Sequence, residues 1–327
     1  MTTPDAQLPI SKHFRLEQLA DGVYAAIGVE GTGSGSNAGI IDLGDRTLVF
    51  DTFLTPQAAA NLRVAAEQLT GRPVSYIINS HWHSDYIQGN QAFAPETPII
   101  ATARTGELIA TNGARFIEHY KKRAPERLRE LEHELALEHQ GTQEESEQKH
   151  VALTLALGEA RELGDCAPTL TLRLPDQTFD RQFIFQGSRR TAELLTYGGG
   201  HTESDAFLLL RDERLAFMGD LLFVQSHLWM GDGNAQEWLR IIDDAQQIDL
   251  VTVVPGHGPV GTPDDFTREA QYITVIQQIV SDALKSGKSS EEAQATPIPE
   301  AFATWAWTEG YGANIASLYE QLAKTEA

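Results

Sequence analysis

Cysteine is nearly missing from this chain. Cys166 is the only one, so no intrachain disulfide can form and no cysteine-rich metal site can exist. Basic residues are scarce too: Lys and Arg number 25 against 46 Asp and Glu, a net charge of −21. Nucleic acids and anionic membranes are bound through basic surfaces, so neither is expected as a partner. The acidity reads as solubility. No apolar run approaches the ~20 residues of a membrane span. Met1–Lys12 is polar and lacks the apolar core of a secretory signal, and a cytoplasmic location is the expectation. What is present is 327 residues with 41% hydrophobic content, enough for one large domain or two modest ones with a substantial core.

Val23–Val29, Ala38–Asp42 and Thr47–Phe50 read as strands, with turns at Gly31–Ser36 and at Gly44-Asp45. The glycine run lies between strands, opens no helix and has no Lys-Ser/Thr ending. It is therefore expected to be a flexible hairpin loop and not a nucleotide cradle. Thr55-Pro56 is an N-cap followed by Pro at N1, opening a helix that ends near Gly71. Val74–Asn79 and Thr97–Ala101 follow as strands. Ala103–Gly164 then breaks the rhythm with charged helices, in which Leu128, Leu131 and Leu135 share a face. Gln140–Lys149 reads as a polar loop or frayed turn, and Leu153–Leu163 as a further helix. His119, His133, His139 and His150 lie in this segment and read as exposed. Strands resume at Thr169–Leu174, Gln182–Phe185, Thr191–Thr196, Ala206–Arg211, Arg214–Met218 and Val251–Val254. Amphipathic helices cover Asn234–Gln247 and Asp264–Leu284. The tail after Gly287 is rich in aromatics (Phe302, Trp305, Trp307, Tyr311, Tyr319), expected to pack a terminal helix onto the body.

Four short stretches carry chemistry: His81-Trp82-His83-Ser84-Asp85-Tyr86, Gly200-His201-Thr202, Gly219-Asp220 and Pro255-Gly256-His257-Gly258. Each follows an expected strand, and strand ends can converge on one point. Imidazole and carboxylate suit Zn²⁺ or another first-row metal. His81 and His83, two apart in an extended turn, can reach one ion, and His201 supplies a third nitrogen. Three imidazoles and an open position describe a catalytic site, not a closed structural one. Asp85, Asp220 and His257 can hold a second ion.

This ordered set resembles the metallo-β-lactamase superfamily over roughly Gly22–Gly261. The resemblance implies an α/β fold, an αβ/βα four-layer sandwich of two mixed sheets. The domain would span 13–285 with a helical insertion at 103–164, and 286–327 would be a helical tail packed on it. It further implies a metallo-hydrolase with two zinc ions, Fe or Mn being alternatives, and Asp220 bridging both. Asp85 would orient the attacking water. Asp51, Thr202 and Asp205 would orient ligands, although loop capping explains the last two equally well. One position departs from the family: Tyr86 stands where a His ligates the second ion. Tyr86 can ligate as phenolate, turn away and leave a weaker second site, or hydrogen-bond substrate as a catalytic group. The second reading is preferred and the third is compatible with it. Trp82 can face the cleft or the core. His227 and Trp229, on the loop after Asp220, are candidate substrate contacts, with ordinary packing the competing reading.

The expected reaction is hydrolysis of an acyl small molecule (ester, lactone, thioester or β-lactam). Alternatives are a mononuclear iron sulfur dioxygenase of the same fold, a phosphodiesterase, or a binding protein that has lost turnover. The insertion could be a lid, a surface for homo-oligomer formation, or solvated decoration.

Overall fold

The computed structural model describes residues 8–137 and 143–325. The chain divides into two compact units, Met1–Phe179 with Gln186–Arg190, and Asp180–Phe185 with Thr191–Ala327.

In the first unit, β1 (Phe14–Ala20), β2 (Val23–Gly28), β3 (Ala38–Asp42), β4 (Thr47–Phe50), β5 (Tyr76–Ile78), β6 (Ile99–Thr102) and β7 (Gln177–Phe179) lie in that order across one sheet. The first four pair antiparallel and the rest parallel. A parallel neighbour needs a crossover, and α1 (Pro56–Thr70) makes the one from β4 to β5. Its start and stop are those expected: the Thr55 side chain accepts from Ala58 N, and Gly71 closes it at φ 71°. Ala58, Leu62 and Ala66 of α1 pack with Ile40, Val49 and Ile77 of the strands. Burying Leu62 stabilises the unit by about 2 kcal/mol. β1 lies outside the expected strands, although Phe14 and Leu16 are buried and Arg15 between them is exposed.

The motif loop after β5 enters a single helical turn, α2 (Ser84–Ile87). Beyond β6 come α3 (Ala103–Leu108), a π-turn at Ile109–Gly113, α4 (Ala114–Ala136) and α5 (Gln143–Cys166). Leu131, Leu153, Leu157 and Ala160 form a small core between α4 and α5, with Leu128 and Leu135 against it, as the leucine spacing predicts. Two expectations are corrected here. The polar stretch 140–149 is helical from Gln143 onward, because Glu, Gln and Lys are good helix formers whatever their polarity; residues 140–142 lie outside the described residues. Thr169–Leu174 is not a strand. Ala167–Thr169 forms a 3₁₀ turn, and the segment after it is pinned by the Arg173 guanidinium, which donates to the carbonyls of Asn90, Phe93, Ala94, Pro95 and Thr97. Pairing begins only at Gln177.

In the second unit, β8 (Gln182–Gln186), β9 (Thr191–Gly198), β10 (Asp205–Leu210), β11 (Leu215–Phe223) and β12 (Thr252–His257) form a sheet in the order β12-β11-β10-β9-β8. β9, β10 and β11 are antiparallel, and β11 pairs parallel with β12. The crossover carries α6 (Ala235–Gln246), and α7 (Asp264–Lys285), α8 (Ser290–Gln294) and α9 (Glu309–Thr325) follow. Phe266, Ile273, Ile276 and Val280 of α7 share one core with Phe302, Trp305, Tyr311, Ile315 and Leu318 of the terminal segment. Both sheets are mixed and flanked by helices, the α/β class expected. No helix among the described residues is long and apolar enough to cross a membrane.

Candidate metal centre

In the first unit the chain leaves β4 through Asp51 and Phe53, at φ 63° and 68°. Left-handed backbone costs a non-glycine residue about 1–3 kcal/mol and persists only when its surroundings enforce it. Here Asp51 N donates to Ile78 O at 2.8 Å, and Asp51 Oδ1 accepts from Ser80 N at 2.8 Å. The carboxylate therefore fixes the peptide just before His81. Ser80 Oγ lies 2.9 Å from His81 Nδ1, which leaves Nε2 as the ring's other donor atom. The His81 and His83 rings meet edge to face with centroids 4.7 Å apart.

Beneath this turn lies a buried amide knot. Tyr86 O accepts from Thr52 N, Thr52 Oγ1 and Asn79 Nδ2 at 3.1, 2.9 and 3.0 Å. Asn79 and Asn90 exchange side-chain hydrogen bonds at 3.1 and 2.9 Å. Gly89 is required in this knot, since a Cβ there would come 1.8 Å from Thr52 O. The Tyr86 ring is fully buried, with its centroid 4.3 Å from that of His81. It shares an apolar cluster with Trp82, Ile87, Leu108 and Ile109. Trp82, which could have faced either way, is 4% exposed and packs 5.7 Å from the Phe116 ring of α4.

In the second unit the His201 turn closes around a carboxylate. Asp205 accepts from Gly200 N, His201 N and Thr202 N at 2.8, 3.0 and 3.1 Å and from Thr202 Oγ1 at 2.6 Å. Asp205 and Thr202 thus cap the turn that carries His201. Gly219 at φ 54° sits where the β11–β12 register slips. This bulge re-aims the next side chain. Asp220, 4% exposed, places Oδ2 3.1 Å from His201 Nε2 and Oδ1 3.5 Å from His257 Nε2. Burial works to raise the Asp220 carboxyl, but His257 and His201 outweigh it and hold it well below its usual range. Burial likewise works to lower the His201 imidazole, and Asp220 overrides it and raises it.

Phe223 stacks on His257 with centroids 5.0 Å apart, and its N–H donates to Glu269 Oε1 of α7 at 3.1 Å. Burial pushes the Glu269 carboxyl well above the usual range, the Phe223 bond opposes that, and the Asp220 and Asp265 charges add to it.

The sequence pattern of the Metallo-beta-lactamase superfamily matches residues 31–257. The chain belongs to the metallo-β-lactamase superfamily. Its fold is similar to the metallo-beta-lactamase from Pontibacter korlensis, at 18% identity and a TM-score of 0.57 over 80% of this chain and 99% of that one. It is equally similar to the metallo-beta-lactamase from Hirschia baltica, at 19% identity and a TM-score of 0.56 over 80% and 98%. The αβ/βα sandwich expected from the motifs is thereby the fold of this chain.

Membership makes this a metal-dependent hydrolase scaffold, and its donors fit a divalent ion. His81 and His83 in the first unit, and His201 and Asp220 in the second, can offer ligand atoms. The fit is clearest at Asp220, whose two oxygens each face an imidazole Nε2. Buried carboxylate and imidazole are the donors first-row metals prefer.

The loop after β11 divides its two candidates. His227 is fully buried, Nδ1 3.0 Å from the Tyr272 hydroxyl, with Trp305 and Tyr311 around its ring; burial lowers its pKa. Trp229 is half-buried, and its ring lies 6.4 Å from that of Trp307, which is 45% exposed at φ 56°. In the insertion, His119, His133 and His150 are exposed, and His139 lies outside the described residues. Sequence reasoning passes over Ser80, Phe223 and Glu269, and reads Trp307 only as one of the tail aromatics. It also misses Tyr120 and Glu159 on the insertion. Burial pushes the Tyr120 phenol up to about 12, Asp85 adds to this, and a hydrogen bond with Ser84 opposes it. Ser80 acts on its neighbour His81; Phe223, Glu269, Tyr120 and Glu159 go unmarked in the local pattern because each takes its role from a partner distant in sequence.

Proposed function

We propose that this protein is a zinc-dependent hydrolase of small acyl substrates: esters, lactones, thioesters or β-lactams. His81, His83 and His201 would hold the tighter ion, and Asp85, Asp220 and His257 a weaker second one. The observation that carries the reading is the buried Asp220 carboxylate facing both His201 and His257. When bound, such ions lower the pKa of a coordinated water from ~15.7 towards ~7 and polarise the substrate oxygen.

The chain's own residues do the rest. Ser80 and Asp51 set the His81 ring, and Asp205 sets the His201 turn, as partners of ligands usually do. Asp85 would orient the nucleophile and accept its proton. The Tyr86 ring, packed among Trp82, Ile87, Leu108 and Ile109, supports the reading in which it turns away and leaves the second site short of one protein ligand. An acyl substrate is favoured over a polyanionic phosphodiester by the net charge of −21.

The test is a panel of esters, lactones, thioesters, β-lactams and phosphodiesters, run on zinc-loaded protein and on protein stripped with chelator. Zinc-dependent turnover of an acyl member supports the proposal. Turnover confined to phosphodiesters, or oxygen uptake with a sulfur substrate and iron, contradicts it.

A further inference from the structure

The helical insertion grips the motif loop from two directions. From α4, the Tyr120 hydroxyl is hydrogen-bonded to the Ser84 side chain. From α5, Glu159 Oε2 accepts from Gly33 N at 2.9 Å. Gly33 O is itself held, accepting from Thr55 N at 3.1 Å and Thr55 Oγ1 at 2.8 Å. Three residues on, Ser36 Oγ donates to Asp85 O at 2.6 Å. Gly35 lies close enough that a Cβ on it would come within 2.8 Å of Asp85 Cβ. The approach of α5 is equally close: a Cβ on Gly158 would meet Gly31 O at 2.4 Å. The glycine loop expected to be a flexible hairpin is instead seated between α5 and Asp85.

α2 has reason to need such support. It is four residues long, and its N-cap, His83, makes no side-chain capping bond. One uncapped turn has too few internal hydrogen bonds to hold itself. Part of its support comes from Thr52 and Asn79, which hold Tyr86 O; the contacts at the Ser84 side chain and at Asp85 O lead back to the insertion.

We propose that Tyr120 and Glu159 are positioning residues. Tyr120 acts directly on Ser84, and Glu159 acts through the Gly33–Ser36 loop, so that the insertion is a fixed buttress for Asp85. The inference deepens the functional proposal and rests on its assignment of Asp85 to the second ion. Loss of groups that orient a metal ligand typically lowers metal affinity or activity about ten- to a hundredfold.

The experiment compares wild type, Tyr120→Phe, Glu159→Gln and the double variant, all zinc-loaded. It measures release of each ion to a chelator, kcat and KM on the best acyl substrate, and the unfolding temperature of the metal-free protein. The control is Glu132→Gln, an exposed partner of Arg161 on the same insertion. Expected for the double variant is about ten- to a hundredfold faster release of one ion only. A fall in kcat should accompany it, with KM little changed and metal-free unfolding near that of the control. Unchanged release in a wild type that binds two ions overturns the inference and leaves the functional proposal standing. Faster release of both ions together with a lowered unfolding temperature overturns it as well, in favour of plain structural support. A wild type that binds a single ion contradicts the two-ion assignment and removes the inference with it.

Discussion

In the first unit the turn bearing His81 and His83 rests on one buried carboxylate, Asp51, and otherwise on neutral groups: the Asn79–Asn90 amide pair, the Thr52 and Ser80 hydroxyls, and an apolar cluster containing Tyr86. In the second unit the equivalent work is done by carboxylates, with Asp205 inside the His201 turn, Asp220 between two imidazoles and Glu269 behind Phe223. Amide and hydroxyl networks keep their form across pH. Buried carboxylates do not, because protonation state and fold are linked. The two halves of the donor set should therefore fail differently, by loss of packing in one and by a change of charge in the other.

The largest effect is expected from removing a donor outright. His201→Ala should abolish turnover and lower bound zinc, measured on the same preparation; wild-type zinc and wild-type turnover would break the assignment. Next comes the support beneath each turn. Asp205→Ala strands three buried N–H groups and should cost about 3 kcal/mol or more in urea unfolding of the metal-free protein. Asn79→Ala, which breaks the neutral knot, should cost about 1–3 kcal/mol. Equal losses would erase the contrast between charged and neutral support.

A third effect is visible only against pH. The Glu269 carboxyl is raised well above its ordinary value of about 4.5, chiefly by burial. Its contribution to stability is complete below about 4.5 and is lost as pH rises through the folded-state pKa, with a slope of up to about 1.4 kcal/mol per pH unit. Glu269→Gln should flatten that loss in metal-free urea melts, so that the variant gains on wild type as pH rises. Parallel curves for the two proteins would show that Glu269 is not protonated in the fold. Asp220 runs the other way: its depressed pKa gives stability above about 3.8 that fades as pH falls towards the folded-state value. The smallest effect belongs to Tyr86→Phe, which should leave zinc retention little changed, whereas Tyr86→His should slow release of the second ion to a chelator. Loss of that ion in Tyr86→Phe would make the phenol a ligand.

Much of this arrangement is legible in the residues because strand, turn and ligand come in fixed local order. Thr55-Pro56 and Gly71 bound α1 as they read, and the His81 and His201 motifs follow β5 and β9, whereas Gly219-Asp220 lies within β11 and Pro255-Gly256-His257 within β12, because those strands run on past their apolar stretches. The failures share a cause. The Arg173 segment alternates like a strand but is held by its own guanidinium, which donates to carbonyls between Asn90 and Thr97, and the glycine loop reads as free because its partner, Gly158, is more than a hundred residues away. Glu269 and Tyr120 read as ordinary helix residues, and only tertiary burial gives them a role. Asp205 stands apart: its proximity to His201 was visible, while the convergence of four donors on it is a property of the turn.

The central claim is most directly tested by metal content per chain, measured by elemental analysis after purification without added metal and again after zinc loading and gel filtration. The account predicts two zinc ions per chain after loading, one released to a chelator well before the other, and a single zinc in Asp220→Asn. One iron per chain that zinc does not displace, with a visible charge-transfer band lost in Tyr86→Phe, would contradict it.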